Sequence, residues 1–323
     1  MTAPTRSTLA LDIGGTKLAT GVVATDGTVT GLRITPTRKE EGHAAVVRRL
    51  FDLAHDSFAD AGQPHVDAVG ISCGGPLDAE AGVVHRPLNL PDWDAVPLAA
   101  LAAEEFGVPA HLVNDATAGM IAEHRHGIAR GASDALYLTL STGVGGGAIV
   151  GGRLHRGAAA NGGEFGHIMV RPGGRLCTCG RRGCLEAYAS GTSVALRARD
   201  ALAASDETSL LSALETVRAE DVVAAAQSGD RLALSVWDET VEVIGQAVTD
   251  LVNTFEPEVV VLGGGVTRAG ALLLDPVRAH VARWAMPPAA AATRIEFAAL
   301  GDAVCVVGAA VHAADRSEEP SHA

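Results

Sequence analysis

The sequence predicts an α/β protein built as two lobes, and three observations carry that expectation. Strand-like and helix-like segments alternate along the chain, a pattern that mixed sheets covered by helices produce. A plan of one strand, a glycine corner and a hairpin begins at Leu9 and begins again at Leu138, an offset of about 129 residues. The 323 residues, 47% of them hydrophobic, make a chain longer than most single domains and rich enough in apolar surface for two cores.

Taken in order, TLALDIGGTKLATGVVATDGTVTGLRI from Thr8 reads as three strands, with a Gly-Gly corner after the first and an Asp26-Gly27 turn after the second. HAAVVRRLFDLAHDSFADAG has helical periodicity, and VDAVGIS is a strand that ends in Cys73-Gly74-Gly75-Pro76. The helix around LAALAAEEFG stops at Gly107 and feeds the strand AHLVNDA. The plan then repeats in LYLTLSTGVGGGAIVGGRLHRG. Alanine-rich helices are expected over about 193–229 and 231–254, followed by the buried strand of EPEVVVLGGGV and a last helix at VCVVGAAVHAAD. These elements divide into a first lobe over 1–114, a larger second lobe over 115–302, a helix over 303–316 that returns to the first lobe, and a tail over 317–323. The polar ends, MTAPTRS and DRSEEPSHA, are expected to fray and to carry no chemistry.

Composition removes several function classes. A formal net charge of −13 and a sequence pI near 5.3 disfavour a nucleic-acid partner, because no basic face large enough to release many counterions is evident. No run approaches the ~18 apolar residues of a membrane span and no apolar signal core opens the chain, so a soluble cytoplasmic protein without a membrane partner is expected. Five cysteines, three of them clustered, do not make a disulfide framework and point to metal or reactivity.

Three glycine corners end strands: Gly14-Gly15-Thr16-Lys17, Thr142-Gly143-Val144-Gly145-Gly146-Gly147 and Gly263-Gly264-Gly265. Glycine there lets a ligand approach the backbone closely and lets NH groups face an anion, although each corner alone reads equally well as a tight turn. Gly143 to Ala148 also fits a dinucleotide-binding spacing, which would make the protein an NAD-dependent oxidoreductase if a helix opened there; AIVGGRLHRG reads as a hairpin instead. What is left is a nucleotide cradle in which Asp12 holds magnesium and Thr16, Lys17 and Thr142 contact phosphate. Asp115, at a strand end, is a candidate general base; the alternative is a helix N-cap, and the two roles could be shared between Asn114 and Asp115. Cys177-x-Cys179-x4-Cys184, with His167 ten residues upstream, supplies four ligands, the number that a closed tetrahedral zinc site needs.

LDIGGTK, LSTGVGGG and VVVLGGGV resemble the two phosphate motifs and the adenosine motif of the actin-like ATPase fold, the ribonuclease H-like superfold of hexokinases and sugar kinases. GISCGGPLDAEAGVVHRPLNLPDWDAVPL, VNDATA, GGEFGH and CTCGRRGCLEAYASG, in that order, resemble the ROK family of repressors and kinases, and the likeness runs from Asp12 to about Ala310. The resemblance implies two lobes that close over Mg-ATP in an interdomain cleft, with Gly14, Gly15, Thr16, Lys17, Thr142, Gly143, Gly145, Gly264 and Gly265 holding the nucleotide. It also implies Asp115 as catalytic base, with Gly75, Asn114, Asp115, Glu164, His167 and Glu186 around a hexose or N-acylhexosamine. A structural zinc on His167, Cys177, Cys179 and Cys184, and a dimer or tetramer, follow from the same likeness.

The activity so implied is ATP-dependent phosphorylation of a hexose, with glucose to glucose 6-phosphate as the family default and N-acetylmannosamine or N-acetylglucosamine as alternatives. Cys73-Gly74-Gly75-Pro76 departs from the Pro-Gly of many family glucokinases, which loosens the assignment of the sugar. Polyphosphate users exist among relatives, although VVVLGGGV favours a nucleotide. A sugar-sensing regulator of the same family is disfavoured, because only seven residues precede the first strand where repressors carry a helix-turn-helix.

Overall fold

The computed structural model describes residues 6–87, 89–90 and 92–318. The first part of the chain forms β1 (Ser7–Ile13), β2 (Lys17–Ala24), β3 (Val29–Pro36), α1 (His43–Asp60), β4 (Val66–Cys73), a small hairpin of β5 (Leu77–Asp78) and β6 (Val83–Val84), α2 (Leu98–Phe106) and β7 (Ala110–Asn114). After α3 (Asp115–His126) come β8 (Ala135–Leu140), β9 (Val144–Val150), β10 (Arg153–Leu154), α4 (Glu186–Ala189), α5 (Gly191–Ala203), α6 (Ala219–Gln227) and α7 (Arg231–Phe255). The chain closes with β11 (Val259–Gly263), α8 (Ala271–Trp284), α9 (Pro287–Ala292), β12 (Arg294–Phe297) and α10 (Val304–Glu318).

The repeat seen in the sequence is a repeat of topology. One sheet has the order β3-β2-β1-β4-β7 and the other β10-β9-β8-β11-β12; each is an antiparallel meander extended by two parallel strands. Gly14 and Gly143, 129 positions apart, sit in the matching turns between the first and second strands of the two sheets.

Side-chain alternation decides what each sheet face meets. On β1, Leu9, Leu11 and Ile13 pack with Val46 and Leu50 of α1 and Leu98 of α2, while Ala10 on the other face packs with Val306, Val307 and Ala309 of α10 and Ala118 of α3. On β8, Leu136, Leu138 and Leu140 meet Ile244 of α7 and Leu273 of α8, whereas Ala135 and Tyr137 meet Met120 of α3. Thus α3 and α10 lie between the sheets, and the other long helices cover their outer faces. By the same alternation Asp12 shares the face of Ala10 and looks toward this central pair.

The structure differs from the sequence expectation in three places. The helix expected over 193–229 is two, α5 and α6, separated by polar chain and a 3-10 turn at Leu210–Ala213. The break is held by Asp230, whose carboxylate accepts from Leu210 N at 2.6 Å and from Ala233 N at 2.9 Å, so one side chain both caps α7 and pins the loop. The expected fraying does not extend to Ser7, which opens β1, or to Asp315–Glu318, which continue α10 beyond position 316. Ion pairs Arg125–Asp315 and Arg6–Glu318, at 2.8 and 3.1 Å, tie this end down. Residues 1–5 and 319–323, which carry the remainder of those expectations, lie outside the described residues.

Candidate active site

At the end of β7, Asn114 Oδ1 accepts from Ala116 N at 3.0 Å and Thr117 N at 3.2 Å, so the N-cap of α3 is Asn114. Its amide nitrogen is left facing Gly75, where an added Cβ would lie 3.4 Å from Nδ2. Asp115 becomes the first helical residue; its Oδ1 accepts from Ala116 N at 2.8 Å, and Oδ2 faces Gly74, 3.7 Å from where a Cβ would be. Burial raises the Asp115 carboxyl above its ordinary value. Asp12 is pushed up to about 7, by burial first, with the Asp115 charge adding and Lys17 opposing. Two carboxylates thus share one low-dielectric space, and the Asp115 charge makes Asp12 harder to ionise.

The 3-10 turn Phe165–His167 presents Glu164 and His167 side by side, with His167 Nε2 3.8 Å from Glu164 Oε2. Burial pushes Glu164 up against the pull of His167, and the charges of Asp115 and Glu186 add to the push, which marks the three acids as neighbours. Glu186 opens α4. Its Oε2 accepts from Val144 N at 3.0 Å and its Oε1 from Thr178 Oγ1 at 2.8 Å. The carboxylate lies so close to the second glycine corner that a Cβ on Gly143 would come within 2.7 Å of Oε2.

His167 also faces the cysteines. Its Nδ1 is 3.7 Å from Cys177 Sγ, and Cys179 Sγ is 3.7 Å from Cys184 Sγ, with one ligand atom from each of the four residues inside a 4.8 Å sphere of mutual distances. A tetrahedral ion with Zn–S bonds of about 2.3 Å has edges of about 3.8 Å between its ligands, so these residues fit zinc. Arg181 brackets the cluster by donating to the His167 carbonyl and to Cys184 Sγ.

The glycine corners are shaped by contacts that a side chain would obstruct. Gly14 N donates to Lys17 O at 2.9 Å to close the first turn, and Thr37 N donates to Thr16 O at 3.0 Å. A Cβ on Gly15 would meet Asn89 Cβ at 2.9 Å, and Asn89 Nδ2 also reaches the Gly143 corner. Gly145 backs onto Ala116 Cβ, and the Thr142 carbonyl accepts from Thr192 Oγ1 at 2.9 Å. Gly264 has φ +87°, with Leu140 O 2.4 Å from a hypothetical Cβ, so only glycine fits there; Gly265 opens onto space bounded by Arg268.

The hairpin that the sequence predicts after Gly143 is present, and Lys17 has a partner within the protein. The chain after Gly143 is strand β9, antiparallel to β8, so the helix that a dinucleotide turn needs is not there. Lys17, expected to face phosphate, has its Nζ 2.5 Å from Asp302 Oδ1, with Arg268 3.7 Å from the same oxygen. Asp302, Asn89 and Thr178 were not singled out by the sequence. Asp302 is 285 positions from Lys17, and Asn89 lies in a loop without periodicity. Thr178 alone offered a signal, a hydroxyl between two metal-spaced cysteines.

The ROK family model matches residues 8–316. A glucokinase of Thermotoga maritima is 34% identical over 310 residues, 95% of this chain and 97% of that protein. An N-acetylmannosamine kinase of Citrobacter koseri is 35% identical over 260 residues, 80% of this chain and 83% of that one. Among solved structures, a ROK family glucokinase from Streptomyces griseus in complex with glucose and AMPPNP superposes with a TM-score of 0.82 at 34% identity, covering 96% of this chain and 99% of that one. Similarity of this extent carries the two-lobed actin-like ATPase fold to the present chain.

Proposed function

The chain belongs to the ROK family and is a sugar kinase, and on that premise we propose that it transfers the γ-phosphoryl group of ATP to the 6-hydroxyl of glucose. The observation that carries this reading is the convergence of Asp115, Glu164, His167 and Glu186 beside the Gly143 corner. Hexose hydroxyls both donate and accept; the carboxylates accept, while the Asn114 amide and the His167 ring supply donors. Asp115 takes the proton as the hydroxyl oxygen bonds to phosphorus and the bond to the leaving ADP oxygen breaks. Its raised carboxyl pKa makes it a stronger base than an exposed aspartate.

Asp12 is the residue we assign to the magnesium that accompanies ATP, and that ion would spread the charge of the phosphates. Gly14, Gly15, Thr16, Thr142, Gly143 and Gly145 would offer backbone and hydroxyl donors, and Gly264 and Gly265 the flat approach for the nucleoside. Lys17 would leave Asp302 to meet phosphate. Zinc on His167, Cys177, Cys179 and Cys184 would have a closed shell and no position for water, so its role is to fix the orientation of His167.

The identity with an N-acetylmannosamine kinase favours a second reading, in which the acceptor is N-acetylmannosamine or N-acetylglucosamine. ADP release over a sugar panel separates the two, with the highest kcat/KM expected for glucose. Asp115→Asn should fold and bind glucose yet lose turnover by about 10²-fold or more, in line with removal of a general base; turnover near wild type would sink the assignment. Sedimentation of the same preparations reads the proposed dimer or tetramer.

A further inference from the structure

A second concavity of about 220 Å3 adjoins this site at Asn114, and none of Asp12, Asp115, Glu164, His167 or Glu186 lines it. It is several times the roughly 30 Å3 that one water occupies in the liquid, room enough for a small solute. Alanines of α2 and β7 leave the space open. Glu80, His111, Arg156, His312 and Arg316 supply its polar walls. Arg156 follows β10 of the second sheet, whereas Glu80 lies between β5 and β6, His111 on β7 and His312 and Arg316 on α10, so the pocket spans both halves of the molecule.

The chemistry of the walls favours an anion. The formally charged lining residues are two arginines and one glutamate, and Glu80 serves both guanidiniums, at 2.6 Å from Arg316 and 3.6 Å from Arg156. His111 Nε2 is buried without a hydrogen-bond partner among the described residues, where a buried polar atom ordinarily has one. Burial lowers the His111 pKa and the Arg316 charge lowers it further; burial takes His312 down to about 3, with Arg156, His111 and Arg316 all contributing. The Arg316 charge therefore reaches both rings and the Arg156 charge reaches His312, while Glu80 offsets part of the field at His111. An oxyanion would give His111 its acceptor and Arg156 a full counter-charge.

We propose that this pocket binds a small phosphate-bearing anion between Arg156 and His111, displacing the Glu80 carboxylate from Arg156. Asn114 and Thr117, which also line the pocket, are the cap and first turn of α3, so the guest reaches the element that carries Asp115. Inorganic phosphate and a sugar phosphate share the required chemistry.

The test is to follow the ring signals of His111, His312 and His167 by NMR in the full-length protein, titrated with inorganic phosphate and, separately, with glucose 6-phosphate. One saturable curve shared by His111 and His312 is expected; saturation at lower concentration with the ester would identify a sugar phosphate as guest, and equal response would identify phosphate alone. Arg156→Gln should weaken binding by roughly tenfold or more, the loss of one charge-assisted contact, and Glu80→Gln should tighten it. Opposite signs are required, since merely structural roles would move both variants alike. No shift at either ring, a shift at His167 alone, or the same sign for both variants would overturn the proposal.

Discussion

Both carboxylate oxygens of Glu186 are committed within the protein, one to the Val144 amide and one to the Thr178 hydroxyl. Thr178 is flanked by Cys177 and Cys179, so the loop that carries the proposed metal ligands also aims Glu186. Replacing it with Val removes one charge-assisted hydrogen bond and should raise the KM for sugar about three- to tenfold with a smaller change in kcat, while Thr178→Ser keeps wild-type behaviour. An unchanged KM in Thr178→Val would separate Glu186 from that loop. His312 gives a pH dependence whose sign follows from its environment. Its folded-state pKa of about 3 lies below the unfolded value of 6.5, because burial and the facing Arg156, His111 and Arg316 disfavour the charged ring against a single hydrogen bond at Leu112. Between those values the unfolded chain holds the extra proton, so the contribution to stability is complete above about pH 6.5 and is lost as pH falls toward 3. Denaturant midpoints for His312→Asn should therefore fall less steeply between pH 7 and pH 4 than those of the wild type.

Among elements, the segment from Glu164 to Glu186 has little regular structure of its own. It contains 3-10 turn, loop and isolated bridges rather than ladder, including Met169 with Cys184 and Leu176 with Arg182. Cys177, Cys179, Cys184 and His167 meet at one point within it, and the proposed zinc there would add to its order. Removal of the proposed zinc with a chelator should lower Tm and weaken sugar binding together, with the affinity for an ATP analogue little changed, because the glycine corners proposed for the nucleotide belong to the two sheets. Normal glucose binding in a zinc-free sample would break that coupling. The cysteine spacing was legible in the sequence because ligand number and type are local properties. Nothing in the sequence showed that Cys177 Sγ would face His167 Nδ1 while Nε2 faced Glu164, since ring orientation depends on how the 3-10 turn sits against Val144.

At the scale of the molecule, α10 joins the two halves. Its backbone approaches both neighbours so closely that a Cβ on Gly308 would lie 1.9 Å from Ala118 O of α3, and one on Gly70 of β4 would lie 2.1 Å from Ala309 O. The facing atoms belong to the backbone, which cannot swing aside as a side chain would. Gly308→Ala should cost about 3 kcal/mol, at the upper end of overpacking, and lower Tm by several degrees in a single cooperative transition, with both sheets affected. A loss below about 0.5 kcal/mol would show that the helix pair repacks freely. The sequence by itself determined the repeat, the strands with their glycine ends, the family and the set of candidate ligands, because these are properties of residue type and spacing. Only the tertiary structure decided that Asn114 rather than Asp115 caps α3, that Asp302 holds Lys17, that Thr178 aims Glu186 and that Arg156 comes to share Glu80 with Arg316. Each of those contacts joins segments whose distance is set by helix packing and sheet register, and no local pattern encodes it.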